Sequence, residues 1–170
     1  MMMQKTSLNH MLSKFIEHSR NHSYMSGIER DKLRVKETAE VFTPTPLVQE
    51  MLDKLEEQDS ELFSNSTKTF LDNSCGDGQF LSEVIIRKME RSGCTLEQAL
   101  STTYGVELME DNVKLCKERL AGPNPTQEIL DILDKNIVCA DALTYHYRFD
   151  GTSPTMTESE VKLGEFFSFK

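Results

Sequence analysis

From the N-terminus, apolar side chains first recur at Leu8, Met11, Leu12, Phe15 and Ile16. Steps of three and four are the period of a helix with one buried face, and Ser7 or Asn9 is placed to cap it. Asn, Ser and Gly over residues 21–28 predict a break, and a charged helical stretch follows from about residue 29 to 40. The run Val41-Phe42-Thr43-Pro44-Thr45-Pro46 ends that helix, because proline lacks an N–H and clashes with the preceding turn. Its fixed φ suits the first turn of a new helix. That helix carries Leu47, Val48, Met51, Leu52 and Leu55 on the face expected to be buried, and residues 58–68 are polar and loop-like.

A short strand over residues 69–72 then meets Asn73-Ser74-Cys75-Gly76-Asp77-Gly78, and a helix follows with Phe80, Leu81, Val84, Ile85 and Met89 inward. Residues 95–100 form a second short helix and residues 103–107 a second strand. Met109, Val113, Cys116 and Leu120 mark the next helix, which stops at Gly122-Pro123. Pro125 opens another with Ile129, Ile132 and Leu133 inward, and residues 136–140 make a third strand. Alternation of strand and helix specifies an α/β fold with a parallel sheet. After Asp141 the pattern decays. Residues 150–160 read as a loop, and 161–169 as one last strand. The expected organisation is a helical arm over 1–40, a ligand-binding domain over 41–149, and a tail over 150–170 that holds the fourth strand.

At 170 residues the chain suits one domain. The net charge of −9 argues against a general nucleic-acid binder, since phosphate contacts need Lys and Arg. The distribution is uneven: residues 1–36 carry +4, from Lys5, Lys14, Arg20, Arg30, Lys32, Arg34 and Lys36 against Glu17, Glu29 and Asp31. If any part meets DNA it is this arm; a solvated basic helix face explains the same residues. Cys75, Cys94, Cys116 and Cys139 have no paired spacing, so they are expected to be reduced and mostly buried, with no metal site. No apolar run approaches the roughly 20 residues of a membrane span, and no signal-peptide core follows the start. The expectation is a cytoplasmic protein with no membrane partner.

Chemistry concentrates where strands end. A strand that runs through Asp72 into Gly76-Asp77-Gly78 and opens a helix brings bare backbone beside a ligand, at the positive end of the helix. The third glycine of a dinucleotide fingerprint is replaced by Phe80, which weakens a nicotinamide or flavin reading. Asp72 and Asp77 make a pyrophosphate cradle less comfortable and favour a cationic ligand. Glu107, ending the second strand, is placed to accept the hydroxyls of a ribose. Asp141 follows the third strand at the same edge. Glycine turns and strand-end acids also occur as plain turns and caps. Three acids at three successive strand ends form the stronger signal.

Two segments resemble the amino-adenine DNA methyltransferases of restriction–modification systems: Glu40-Val41-Phe42-Thr43-Pro44, and Phe70-Leu71-Asp72-Asn73-Ser74-Cys75-Gly76-Asp77-Gly78-Gln79-Phe80-Leu81. The likeness covers about residues 34–143. It implies a partial Rossmann-like sheet of the class I methyltransferase kind and S-adenosyl-L-methionine as cofactor. Phe42, Thr43 and Pro44 would line its methionine end, and Asp72, Gly76 and Gly78 would shape the loop around its amino-acid moiety. Glu107 would hold the ribose hydroxyls and Asp141 the adenine amine. Asn73 departs from the family's proline. The larger departure is the absence of an Asp/Asn-Pro-Pro-Tyr/Phe tetrapeptide, which grips the flipped target base; Asn124-Pro125 and Ser153-Pro154 do not supply it. No catalytic residue is therefore assigned.

Three readings follow from this. One is an S-adenosylmethionine-binding, DNA adenine methyltransferase-like protein, incomplete or split, with a second chain completing the sheet. Another is a non-catalytic cofactor-binding or interaction module that antagonises a host modification or restriction system. A third is a scaffold of the same descent. Cys75 is expected to be a packing residue, Tyr145-His146-Tyr147 a loop on the sheet, and His10, His18 and His22 surface residues.

Overall fold

The computed structural model describes residues 2–21 and 43–150. Within them lie, in chain order, α1 (Met2–Asn21), α2 (Thr45–Gln58), β1 (Phe70–Asp72), α3 (Gln79–Ser92), α4 (Leu96–Ser101), β2 (Thr103–Glu107), α5 (Glu110–Ala121), α6 (Gln127–Asn136) and β3 (Ile137–Cys139). The fold is α/β. The expected fourth strand, the charged helix over 29–40 and Phe42 lie outside the described residues.

The three strands are parallel in the order β1-β2-β3, with Phe70 opposite Thr103, and Gly105 opposite Ile137. One main core cluster joins Leu81, Ile85 and Met89 of α3 to Leu100, Cys116, Leu120, Leu133 and Ile137. Phe15 of α1 belongs to that cluster, so the first helix packs into the domain. On the other side of the sheet, Phe149 packs 4.7 Å from the Tyr104 ring of β2, and Tyr145 is buried beside Phe149. Tyr147 and Phe149 hold positive φ angles of 54° and 44°, a conformation that L side chains rarely adopt.

Several expectations need correction. α1 starts at Met2, well before the anticipated caps, because no glycine or proline interrupts residues 2–7. The apolar face of α2 is split. Val48 and Leu52 are fully buried against Phe63 and Val84, whereas Leu47, Met51 and Leu55 are 47%, 47% and 40% exposed. One neighbouring helix cannot cover an arc that wide. Phe63, inside the stretch expected to be a polar loop, is itself buried and stacks on Phe70 at 5.2 Å. Phe80 is only partly buried and sides with this smaller cluster. Thr126, not Pro125, opens α6: its side chain accepts the Ile129 N–H. Cys75, Cys94 and Cys116 are buried free thiols and Cys139 is exposed. Among the described residues no helix is long and apolar enough to cross a membrane.

Candidate functional site

The carboxyl ends of all three strands open onto one cleft of about 470 Å³. Its first wall is the turn after β1. Gly76 (φ 52°) and Gly78 (φ 80°) both adopt the left-handed backbone that favours glycine. Gly78 also has no room for a side chain, since a Cβ there would lie 2.7 Å from the Cys116 sulfur. The turn is sewn by the Cys75 N–H donating to the Val106 carbonyl at 3.1 Å and the Gly78 N–H donating to the Cys75 carbonyl at 2.8 Å.

Glu107 sits at the centre. One carboxylate oxygen accepts the Gly76 N–H at 2.9 Å, and the other accepts the Met109 N–H at 2.9 Å. One side chain thereby ties the loop after β1 to the loop after β2. Asp72 accepts the Ser74 N–H at 3.0 Å, and its carboxyl is pushed above the ordinary range. Burial is the main cause and the neighbouring Glu107 charge adds to it, while the Ser74 bond opposes both. Asp141 is exposed and accepts the Leu143 N–H at 2.9 Å. The loop that carries it is fixed to β2 by the Ala140 N–H donating to the Glu107 carbonyl at 3.0 Å.

The cleft gathers most of the residues singled out from sequence: Thr43, Asp72, Gly76, Glu107 and Asp141 all line it. Gly78 does not. It stands behind the wall as the residue that turns the chain into α3. Pro44 is likewise one step back, as the N-cap of α2. Thr43 is held in place because the Gln79 amide donates to the Thr45 hydroxyl at 2.8 Å, latching the start of α2 to the start of α3.

Asp77 behaves differently from the expectation that it makes the site more acidic. It is buried, and its carboxylate pairs with the Arg119 guanidinium at 2.5 Å. Arg119, Gln79 and Asn112, whose amide donates to the Glu107 carboxylate at 3.5 Å, are the residues that sequence reasoning missed. Arg119 lies three positions after Cys116, on the buried face of α5, and that spacing was the available signal.

Among the described residues, no Lys or Arg lines the cleft. Nor do three His, Cys, Asp or Glu side chains converge closely enough to hold a metal ion. Carboxylates strung along a cleft without a common focus suit an extended ligand carrying positive charge. The neighbouring Cys116 thiol and burial push the Cys75 thiol far up, which fits packing and not nucleophilic chemistry. A larger groove of about 830 Å³ borders Val113, Ala121, Leu130 and Leu133 on α5 and α6. It contains neither Gly76 nor Gly78 nor any strand-end acid, and it mixes those apolar side chains with charged ones such as Glu110, Lys114, Lys117 and Asp134.

No protein-family model, curated protein or solved structure matches this chain.

Proposed function

We propose that the cleft binds S-adenosyl-L-methionine and that the chain is the cofactor-binding part of an adenine-specific DNA methyltransferase-like protein. The observation that carries this is Glu107, held by amides from two loops at the floor of an acid-lined cleft with no cation on its walls among the described residues. Each carboxylate oxygen can accept more than one hydrogen bond, so a diol can still be bound beside those amides. A phosphorylated nucleotide would meet Asp72, Glu107 and Asp141 with no compensating Lys or Arg among the described residues. A nucleoside bearing a sulfonium meets attraction. The resemblance of residues 40–44 and 70–81 to the amino-adenine enzymes supports this choice of ligand, and a partial Rossmann-like sheet is the frame it implies.

In this reading Glu107 takes the ribose hydroxyls and Asp141 the adenine amine. The Asp72–Gly78 turn receives the amino-acid end, next to Thr43. When bound, the cofactor supplies an electrophilic methyl group. Because the 170 residues contain no Asp/Asn-Pro-Pro-Tyr/Phe tetrapeptide, binding and not transfer is the activity assigned to them.

Calorimetric titration tests the assignment. Wild-type protein is expected to bind S-adenosylmethionine and not ATP. Glu107→Ala should bind about tenfold or more weakly, the worth of one hydrogen bond to a charged group. Glu107 also holds two loops, so Asp141→Asn serves as a second variant that leaves the fold intact and weakens binding less. Wild-type protein that ignores S-adenosylmethionine, or prefers ATP, defeats the proposal.

A further inference from the structure

We infer that Arg119 is the positioning residue of the cleft, and that through it the shape of the glycine turn depends on how α1 is seated. The inference builds on the reading of the cleft as an S-adenosylmethionine site. Arg119 has no exposed surface and does not line the cleft. It acts through two residues that do. Its Nε donates to the Asp77 carbonyl at 2.8 Å and its Nη2 to the Asp77 carboxylate at 2.5 Å. Gripping both the main chain and the side chain of one residue fixes that residue's backbone. Asp77 is flanked by Gly76 and Gly78, the two positions where the chain is otherwise freest.

The same guanidinium reaches further. Nη1 donates to the Gln79 side-chain oxygen at 2.5 Å and to the Ser19 carbonyl, in the last turn of α1, at 3.1 Å. Gln79 passes the connection to Thr45 at the start of α2. The cleft wall, the α1 C-terminus and the segment carrying Thr43 therefore meet at one planar fork. A lysine cannot reproduce that geometry, because its ammonium is a single point with no fixed spread of donors.

Full-length Arg119→Lys keeps a positive charge for Asp77 and gives up the fork. Expected are about tenfold weaker S-adenosylmethionine binding at unchanged stoichiometry, and faster hydrogen exchange at the amides of residues 76–78. The amides of β2 and β3 should keep their protection. A role confined to stability would instead lower the bound stoichiometry and raise exchange throughout, leaving the affinity of the folded molecules as it was. That outcome overturns the inference, as does an affinity within about twofold of wild type with unchanged loop exchange.

If the wild type fails to bind S-adenosylmethionine, the ligand assignment falls and the exchange pattern still decides the role of Arg119. Should Arg119→Lys not fold, Asp77→Asn removes the charged half of the grip. It should give the same local pattern at smaller amplitude, and no local change counts against positioning. Phe15→Leu loosens α1 from a distance and is expected to raise exchange in residues 76–78. A turn that ignores it removes α1 from the scheme.

Discussion

The Lys88 ammonium is fully buried, donates to the Lys68 carbonyl at 2.8 Å and to the Thr102 hydroxyl, and lies 5.4 Å from the centre of the Phe70 ring. It anchors the chain where β1 and β2 begin. Burial pushes its pKa down to about 8 from the ordinary 10.5, because removing an ammonium from water disfavours the charged form. Between those two values the unfolded chain holds a proton that the folded one has shed. Stability contributed at this position therefore rises with pH across that window and is flat below it. Compared with Lys88→Met, wild-type protein should gain on the order of 2 kcal/mol of relative stability between about pH 7 and about pH 10. Urea unfolding at a series of pH values measures this, and a pH-independent difference would show that the hydrogen bonds hold the buried ammonium charged. Lys88, like Glu83 and Arg87 on the same helix, was illegible from the hydrophobic pattern. A helical period sends charged residues to solvent, whereas α3 is enclosed on nearly every side. Asp72, Glu107 and Asp141 were legible because strand ends and glycine turns fix where such acids must stand, whatever surrounds them.

Among the elements, α4 shows how local chemistry sets a boundary. It has six residues, too few to be stable alone. Its start is held by a capping box: the Thr95 hydroxyl accepts the Gln98 N–H at 3.3 Å, and the Gln98 side chain accepts the Thr95 N–H at 3.0 Å. Its buried face, Leu96, Ala99 and Leu100, supplies the rest of its stability. Thr95→Ala should lower the unfolding free energy by about 1 kcal/mol, the usual worth of an N-cap. A change too small to resolve in chemical denaturation would mean that water replaces the hydroxyl without loss. Caps, prolines and C-terminal glycines made α3 through α6 readable to within a residue or two. Burial on α2 was not readable. Period alone cannot say whether one neighbour or two will cover an apolar arc, and Phe63 was masked by the polar residues around it.

At the scale of the whole molecule the question is whether α1 is an appendage or part of the folded unit. Its basic residues suggested an arm available to a polyanion, but Arg20 is committed to Glu83, with its Nε 3.1 Å from one carboxylate oxygen. Glu83 is buried and also accepts from the Gln49 amide of α2 at 3.2 Å, so α1, α2 and α3 share one carboxylate. Arg20 is about half exposed, and that moderates the pair. Losing it still leaves Glu83 desolvated, with the Gln49 amide as its remaining side-chain partner among the described residues. Arg20→Ala should therefore cost about 1–2 kcal/mol, more than a surface ion pair and less than a fully buried one. Phe15→Ala should cost about 3–5 kcal/mol, since it empties a site in the main core. If α1 is integral, both variants shift a single cooperative transition followed by far-ultraviolet dichroism, and the slope of free energy against denaturant is unchanged. If α1 were an arm, the two substitutions would produce an early, separate loss of helix and leave the main transition where it was. The first outcome would also confine any polyanion contact by residues 1–36 to groups other than Arg20, because that guanidinium could reach a phosphate only by abandoning a buried acid.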